Sequence, residues 1–156
     1  MSYPVSMTSE ATPEDLLQLD RQVCFALAVA SRSVIGVYRP ILEPLGLTHP
    51  QYLVMLALWE QSPLRFRDLA DSLRLDPATL SPLVKRLESL DLIARQPVAD
   101  DERTFALVPT AAGQALRERA LDVPPAVIAR LGLPLDRLEA LRDELTAIIA
   151  AVDSGS

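Results

Sequence analysis

Leu75-Asp76-Pro77-Ala78-Thr79-Leu80-Ser81-Pro82-Leu83-Val84-Lys85-Arg86-Leu87-Glu88-Ser89-Leu90 is the stretch from which the fold can be read. Asp76-Pro77 is a helix start: a carboxylate to accept from the free amides of a first turn, and a proline where its missing N–H costs nothing. Leu80, Leu83, Val84, Leu87 and Leu90 recur at three- and four-residue intervals, so they form one buried stripe. Ala78, Ser81, Pro82, Lys85 and Ser89 fall opposite, flanked by Thr79 and Arg86. Small and hydroxyl side chains come first and two cations follow. A helix lying in a DNA major groove needs that order: nothing bulky at the tip, hydroxyls for base edges and phosphates, cations for the backbone. Pro82 removes one backbone hydrogen bond, so the helix either bends there or starts properly at Ser81.

Working outward, residues 92–96 and 104–108 read as two short strands around a polar loop, 97–103. Upstream, Arg65 to Leu73 is a short helix with Phe66, Leu69, Ala70 and Leu73 facing inward. Helix, helix, β-hairpin is the winged helix-turn-helix order, and the fold class is mainly α with a small β-hairpin wing. Thr48-His49-Pro50-Gln51 is a capping box that opens a further helix from Tyr52 to Trp59. That helix is apolar nearly all round and therefore central, and Ser62-Pro63 ends it.

The flanks are helical as well. Residues 1–11 read as an arm, and Thr12-Pro13-Glu14-Asp15 as a helix start. From there Leu16, Val23, Leu27, Val34, Tyr38, Ile41 and Leu45 keep a helical stripe of unusual length. Pro40 and Pro44 kink its end and Gly46 closes it. So long a stripe near a terminus is either buried in its own core or, the reading preferred here, a dimer interface. Beyond the wing, Thr110 caps a helix through about Asp122, and Pro124-Pro125 interrupts. Leu133-Pro134 precedes a final amphipathic helix striped by Leu138, Leu141, Leu145, Ile148, Ile149 and Val152.

The totals bound the possibilities. A chain of 156 residues is most simply one domain, and 49% hydrophobic with 4% aromatic means a core of Leu, Val, Ile and Ala. A formal charge of −6 argues against non-specific coating of nucleic acid. Between Arg65 and Arg103 seven cations meet eight acids, a net −1, so the case for DNA rests on order and faces rather than on charge. One cysteine and one histidine leave no disulfide framework and no supported metal site, and nothing calls for a cofactor. No signal peptide is visible, and the apolar runs, broken at Ser31-Arg32 and Trp59-Glu60, fall far short of a membrane span. The chain reads as soluble and cytoplasmic, where a free thiol stays reduced until something oxidises it.

The run 47–60 (Leu-Thr-His-Pro-Gln-Tyr-Leu-Val-Met-Leu-Ala-Leu-Trp-Glu), the segment 80–88 and Asp101-Glu102-Arg103 together resemble the MarR family of bacterial transcription regulators. With Cys24-Phe25-Ala26-Leu27 and Tyr38-Arg39-Pro40, the resemblance narrows to the organic hydroperoxide resistance regulators, OhrR. It covers roughly residues 15–150; the Asp-x-Arg wing is general to the family, and the placement of Cys24 is the more specific part.

The resemblance implies one MarR-type chain over 1–156. Dimerisation helices would lie at 12–46 and 111–152, on either side of a winged helix-turn-helix region at 47–110. It implies a homodimer reading a pseudo-palindromic operator in double-stranded DNA. Arg103 would enter the minor groove, steadied by Asp101, while Thr79, Ser81, Lys85 and Arg86 face the major groove and its phosphates, with Arg95 as a further wing cation. It also implies that Cys24 is attacked by an organic hydroperoxide to give a sulfenic acid, and that the oxidised dimer releases DNA. The chain is then a repressor, not an enzyme, with a small oxidant and a low-molecular-weight thiol as its chemical partners.

The redox site is completed in that family by tyrosine hydroxyls, of which Tyr38 matches one; Ala28 and His49 stand where two others are usual. His49 either donates to the sulfur or is a solvated first residue of a capped helix. In one regular helix starting near Thr12, Cys24 is about a dozen residues in, beyond reach of the helix dipole, with Arg21 one turn earlier as a cation. Tyr38 lies 14 residues further on, about 21 Å along the axis and ~40° around it, so the two meet only across antiparallel helices of a dimer. Three rivals remain open. One is a MarR-type regulator answering a small aromatic or anionic ligand with Cys24 inert, another a thiol peroxidase, and the third an interaction-only dimer.

Overall fold

A computed structural model of the chain describes residues 12–98 and 101–155, and the side chains of Asp20 and of residues 101–103 lie outside that description. Compactness divides the chain into Met1–Gly36 and Val37–Ser156.

In the first unit Thr12 caps as its sequence suggests: its hydroxyl accepts from the Asp15 amide, and the Asp15 carboxylate accepts from the Thr12 amide. The cap opens only a 3-10 turn, Asp15–Leu17, and a second follows at Leu19–Arg21. The expected helix from Thr12 is therefore corrected: α1 runs Val23–Leu42. The physical reason is Gln22, whose side-chain amide donates to the carbonyls of Leu16 and Gln18, while Gln18 and Gln22 are themselves extended. Those carbonyls are satisfied without an α-helical ladder. Leu16, Leu17, Leu19, Val23, Phe25 and Val29 are exposed.

By length and composition Val23–Leu45 is long and apolar enough to cross a membrane, with a mean hydropathy of 1.3 in its most apolar window. Length and composition alone do not make it a membrane span, and Ser31-Arg32 lies within the run.

In the second unit α1 passes through Pro40 and ends at Leu42; Pro44 sits in a 3-10 turn, Glu43–Leu45, closed by Gly46 at φ 72°. A side chain is strained at that angle, and glycine is not. The Thr48 capping box is present in both directions, Gln51 N–H to Thr48 Oγ1 at 3.4 Å and Thr48 N–H to Gln51 Oε1 at 3.0 Å. It opens α2, His49–Glu60, which supplies Tyr52, Val54, Met55 and Leu58 to the core as a central helix should.

A two-residue strand not foreseen from sequence, β1 (Leu64–Arg65), then leads into α3 (Phe66–Leu73) and α4 (Pro77–Ser89). The hairpin is β2 (Ile93–Val98) and β3 (Asp101–Pro109), and the antiparallel sheet is ordered β1-β3-β2 with Leu64 opposite Leu107 and Arg95 opposite Leu107. The connecting loop is therefore shorter than the expected 97–103. Pro97 stands in β2 opposite Phe105, tolerated because β2 is an edge strand.

Thr110 caps α5 (Ala111–Ala120) by accepting from the Gly113 amide at 3.0 Å. The helix capped by Thr110 breaks after Ala120 as expected, and Pro124-Pro125 sits in the first turn of a further, unexpected helix, α6 (Val123–Leu131), where no N–H is required. The last helix, α7 (Leu135–Ser154), contributes no buried residue, and Leu141, Ile148, Ile149 and Val152 are exposed.

Candidate nucleic-acid interface and thiol site

Helix α4 is built to present one face. Asp76 Oδ1 accepts from the Thr79 amide at 2.8 Å, and this bond is the first reason its carboxyl is held below the ordinary carboxylate range. Leu80, Val84 and Leu87 are fully buried, which fixes the rotation of the helix, and Leu83 packs against the same core. Ala78, Thr79, Pro82, Lys85, Arg86 and Ser89 are therefore exposed together, with Ser81 half-buried among them. The helix continues through Pro82 and starts at Pro77, not Ser81. Pro82 points outward, so its missing N–H leaves one carbonyl on the solvent side.

The wing is tied to this helix. Arg95 Nε donates to Glu88 Oε1 at 2.9 Å, and its guanidinium carbon lies 4.1 Å from the centre of the Phe105 ring. Arg95 thus links β2 to the end of α4 and is not a free cation. Asp101 and Arg103, expected at the wing tip, have side chains outside the described residues.

Cys24 is exposed and occupies the second position of α1. The expectation of a thiol a dozen residues into its helix is corrected by the 3-10 turns before it, and Cys24 stands instead in the first turn of α1. Arg21 ends the preceding turn, and Ala28 is exposed. Cys24 belongs to the unit that ends at Gly36.

The unit that follows brings Tyr38 and His49 together. Their rings meet edge to face, 4.8 Å apart at 62°. Burial lowers the His49 pKa and raises that of Tyr38, in each case favouring the neutral ring. His49 is half-buried and ring-packed, which corrects the reading of it as a solvated surface group. A third ring, not foreseen, joins them: Tyr52 lies 5.9 Å from Tyr38, its phenol pKa raised by burial and then by Tyr38. Its spacing, three residues after His49 on α2, was the available signal.

A sequence model described as the MarR family matches residues 47–105. The organic hydroperoxide resistance transcriptional regulator of Bacillus subtilis strain 168 is 36% identical over 140 residues, covering 90% of this chain and 93% of that protein. Among solved structures, reduced AbfR bound to DNA is similar with a TM-score of 0.74 at 30% identity, covering 90% of this chain and 99% of that one. Overoxidized AbfR bound to DNA is similar with a TM-score of 0.73 at the same identity and coverage.

Proposed function

We propose, from the premise that this chain belongs to the MarR family of transcription regulators, that it is a repressor whose hold on DNA is released by oxidation of Cys24. The reading is of a cytoplasmic homodimer on a pseudo-palindromic operator. Residues 47–110 form its winged helix-turn-helix region, and 12–46 and 111–152 its dimerisation helices. Thr79, Ser81, Lys85 and Arg86 meet the major groove, and Arg103 with Asp101 reaches the minor groove from the wing. Exposed apolar side chains on α1 and α7 support the dimer, because a single chain covers neither set.

The observation that carries the switch is the position of Cys24, the sole thiol of the chain, exposed in the first turn of α1. A sulfur there is open to a small oxidant. Its sulfur attacks one peroxide oxygen, the S–O bond forms as the O–O bond breaks, and the alkoxide leaves and takes a proton to become the alcohol. Sulfur is oxidised by two electrons and the peroxide is reduced. The sulfenic acid then condenses with a low-molecular-weight thiol, releasing water and leaving a mixed disulfide. Tyr38, 14 residues along the same helix, serves the Cys24 of the partner, with His49 and Tyr52 packed behind it.

The test is operator binding by wild type and Cys24→Ser, with and without cumene hydroperoxide, on DNA upstream of the protein's own gene. Release of the wild type alone is expected. Release of both variants would replace oxidation with ligand binding, and many peroxide equivalents consumed per thiol would point to a peroxidase. Absence of binding at low salt would end the regulator reading.

A ligand-responsive regulator is the second reading, favoured by one observation. A pocket of about 510 Å³ between α2 and the α5–α6 segment is lined by Tyr52, Leu56, Trp59, Glu60, Arg117 and Leu121, aromatic walls with one cation at the rim.

A further inference from the structure

We propose that Arg65 and Arg67 form a phosphodiester clamp at the base of the wing, gripping the DNA backbone beyond the surface presented by α4. The inference rests on the DNA-binding reading above and extends it to residues that reading does not use.

A cleft of about 540 Å³ opens between the start of α3 and β3, lined by Arg65, Phe66, Arg67, Asp68, Thr104 and Phe105. Arg65 is held by the sheet, with its backbone in β1 opposite Ala106 of β3. It stands at the N-cap of α3, where its donor-only guanidinium cannot serve as a cap. Arg67 is the second residue of α3, and both arginines are exposed. Among the described residues neither has an ion pair.

The hinge of the cleft is apolar and packed. The Phe66 and Phe105 rings lie 5.5 Å apart at 47°, which ties the start of α3, with Arg65 and Arg67 on either side of Phe66, to the wing strand. The same Phe105 ring carries Arg95, whose ion pair with Glu88 reaches α4. One wall of the cleft is thus continuous with the helix proposed to enter the major groove.

Two guanidinium groups against the single carboxylate of Asp68 leave the cleft net positive. A phosphodiester offers one negative charge and two unbridged oxygens, which planar arginine forks match better than an ammonium would. Such contacts place the protein on the duplex without reading its sequence. Asp68 weakens the grip and keeps it subordinate to the groove contacts.

The experiment measures affinity against salt concentration for the full-length protein on the upstream DNA and on a random duplex of equal length. In a dimer the Arg65→Gln/Arg67→Gln double variant gives up one clamped phosphodiester per subunit, so the slope of log K against log salt should fall by ~1.8. The loss should be the same on both duplexes, leaving their affinity ratio unchanged, while Asp68→Asn tightens binding to both. Circular dichroism checks that each variant is folded. A wild-type slope in the double variant, or a loss confined to one duplex, overturns the clamp while leaving the regulator intact. A wild type that binds neither duplex removes both proposals.

Discussion

Helices α4 and α7 are both amphipathic by sequence, yet Leu80, Val84 and Leu87 of α4 are fully buried, whereas Ile148 and Ile149 of α7 are each 43% exposed and Val152 is 67% exposed. The winged region buries its stripes within one chain: Met55, Leu58, Leu69 and Leu107 share one core with Leu42 of α1, Leu116 of α5 and Val123 and Val127 of α6. Helix α7 carries a stripe of its own, of which Leu138 and Leu145 are half-buried while Leu141, Ile148, Ile149 and Val152 find no cover. The lesson is that one pattern of residues can serve two purposes. A stripe that meets complementary surface becomes core, and a stripe that does not is a surface awaiting a partner.

That contrast can be broken from either side. Leu87→Ala empties a fully buried site and should cost about 2–5 kcal/mol of unfolding free energy, read by urea titration. Cooperative unfolding at the wild-type midpoint would mean that the winged core is not the stabilising unit. Ile148→Asp places a charge on the uncovered stripe and should weaken dimerisation by roughly 100-fold, about 2.7 kcal/mol, in sedimentation equilibrium. An unchanged dimer constant would remove α7 from the interface.

Gly113→Ala sharpens the comparison at the seam of the winged region. A Cβ at Gly113 would come 2.0 Å from the Leu92 carbonyl oxygen, which already accepts from the Thr110 amide at 3.0 Å. The Gly113 carbonyl in turn accepts from Trp59 Nε1 at 3.0 Å. The backbone must shift, at a cost of about 1–3 kcal/mol in thermal or urea unfolding, with the dimer constant unaltered.

The smallest effect concerns pH. The Asp76 carboxyl is held below its ordinary range in the folded chain, so its contribution is present above about pH 4 and is lost as pH falls through the folded value. Asp76→Asn keeps a capping acceptor without the charge and should flatten the acid limb of the stability curve. An identical acid limb in the variant would assign that limb to other carboxylates.

What could be read from sequence was what is local. The Thr48–Gln51 and Asp76 caps, the two faces of α4 and the exposed stripe of α7 all follow from residues within a few positions of one another. What escaped depends on distant or competing bonds. Strand β1 is two residues long and exists only because β3 pairs with it. The Gln22 side chain replaces an α-helical ladder with 3-10 turns, moving Cys24 from mid-helix to a helix start. Helix α6 is hidden because Pro124-Pro125 marks the break after α5 without showing that a new helix begins there. Tyr52 was counted as core and is also the third ring of the Tyr38–His49 cluster.

The contrast between the buried stripe of α4 and the uncovered apolar faces of α1 and α7 bears most directly on Cys24. If its site is completed by the Tyr38 of a second chain, two kinds of mixed dimer should differ. Cys24→Ser in one chain with Tyr38→Phe in the other leaves one thiol facing an intact tyrosine. Both substitutions in the same chain leave the one thiol facing phenylalanine. The measurement is the rate of sulfenic acid formation at the single remaining thiol with cumene hydroperoxide. The account predicts wild-type reactivity in the first dimer and slow oxidation in the second. The reverse order would place the site within one chain and contradict it, and equal rates would take Tyr38 out of the switch.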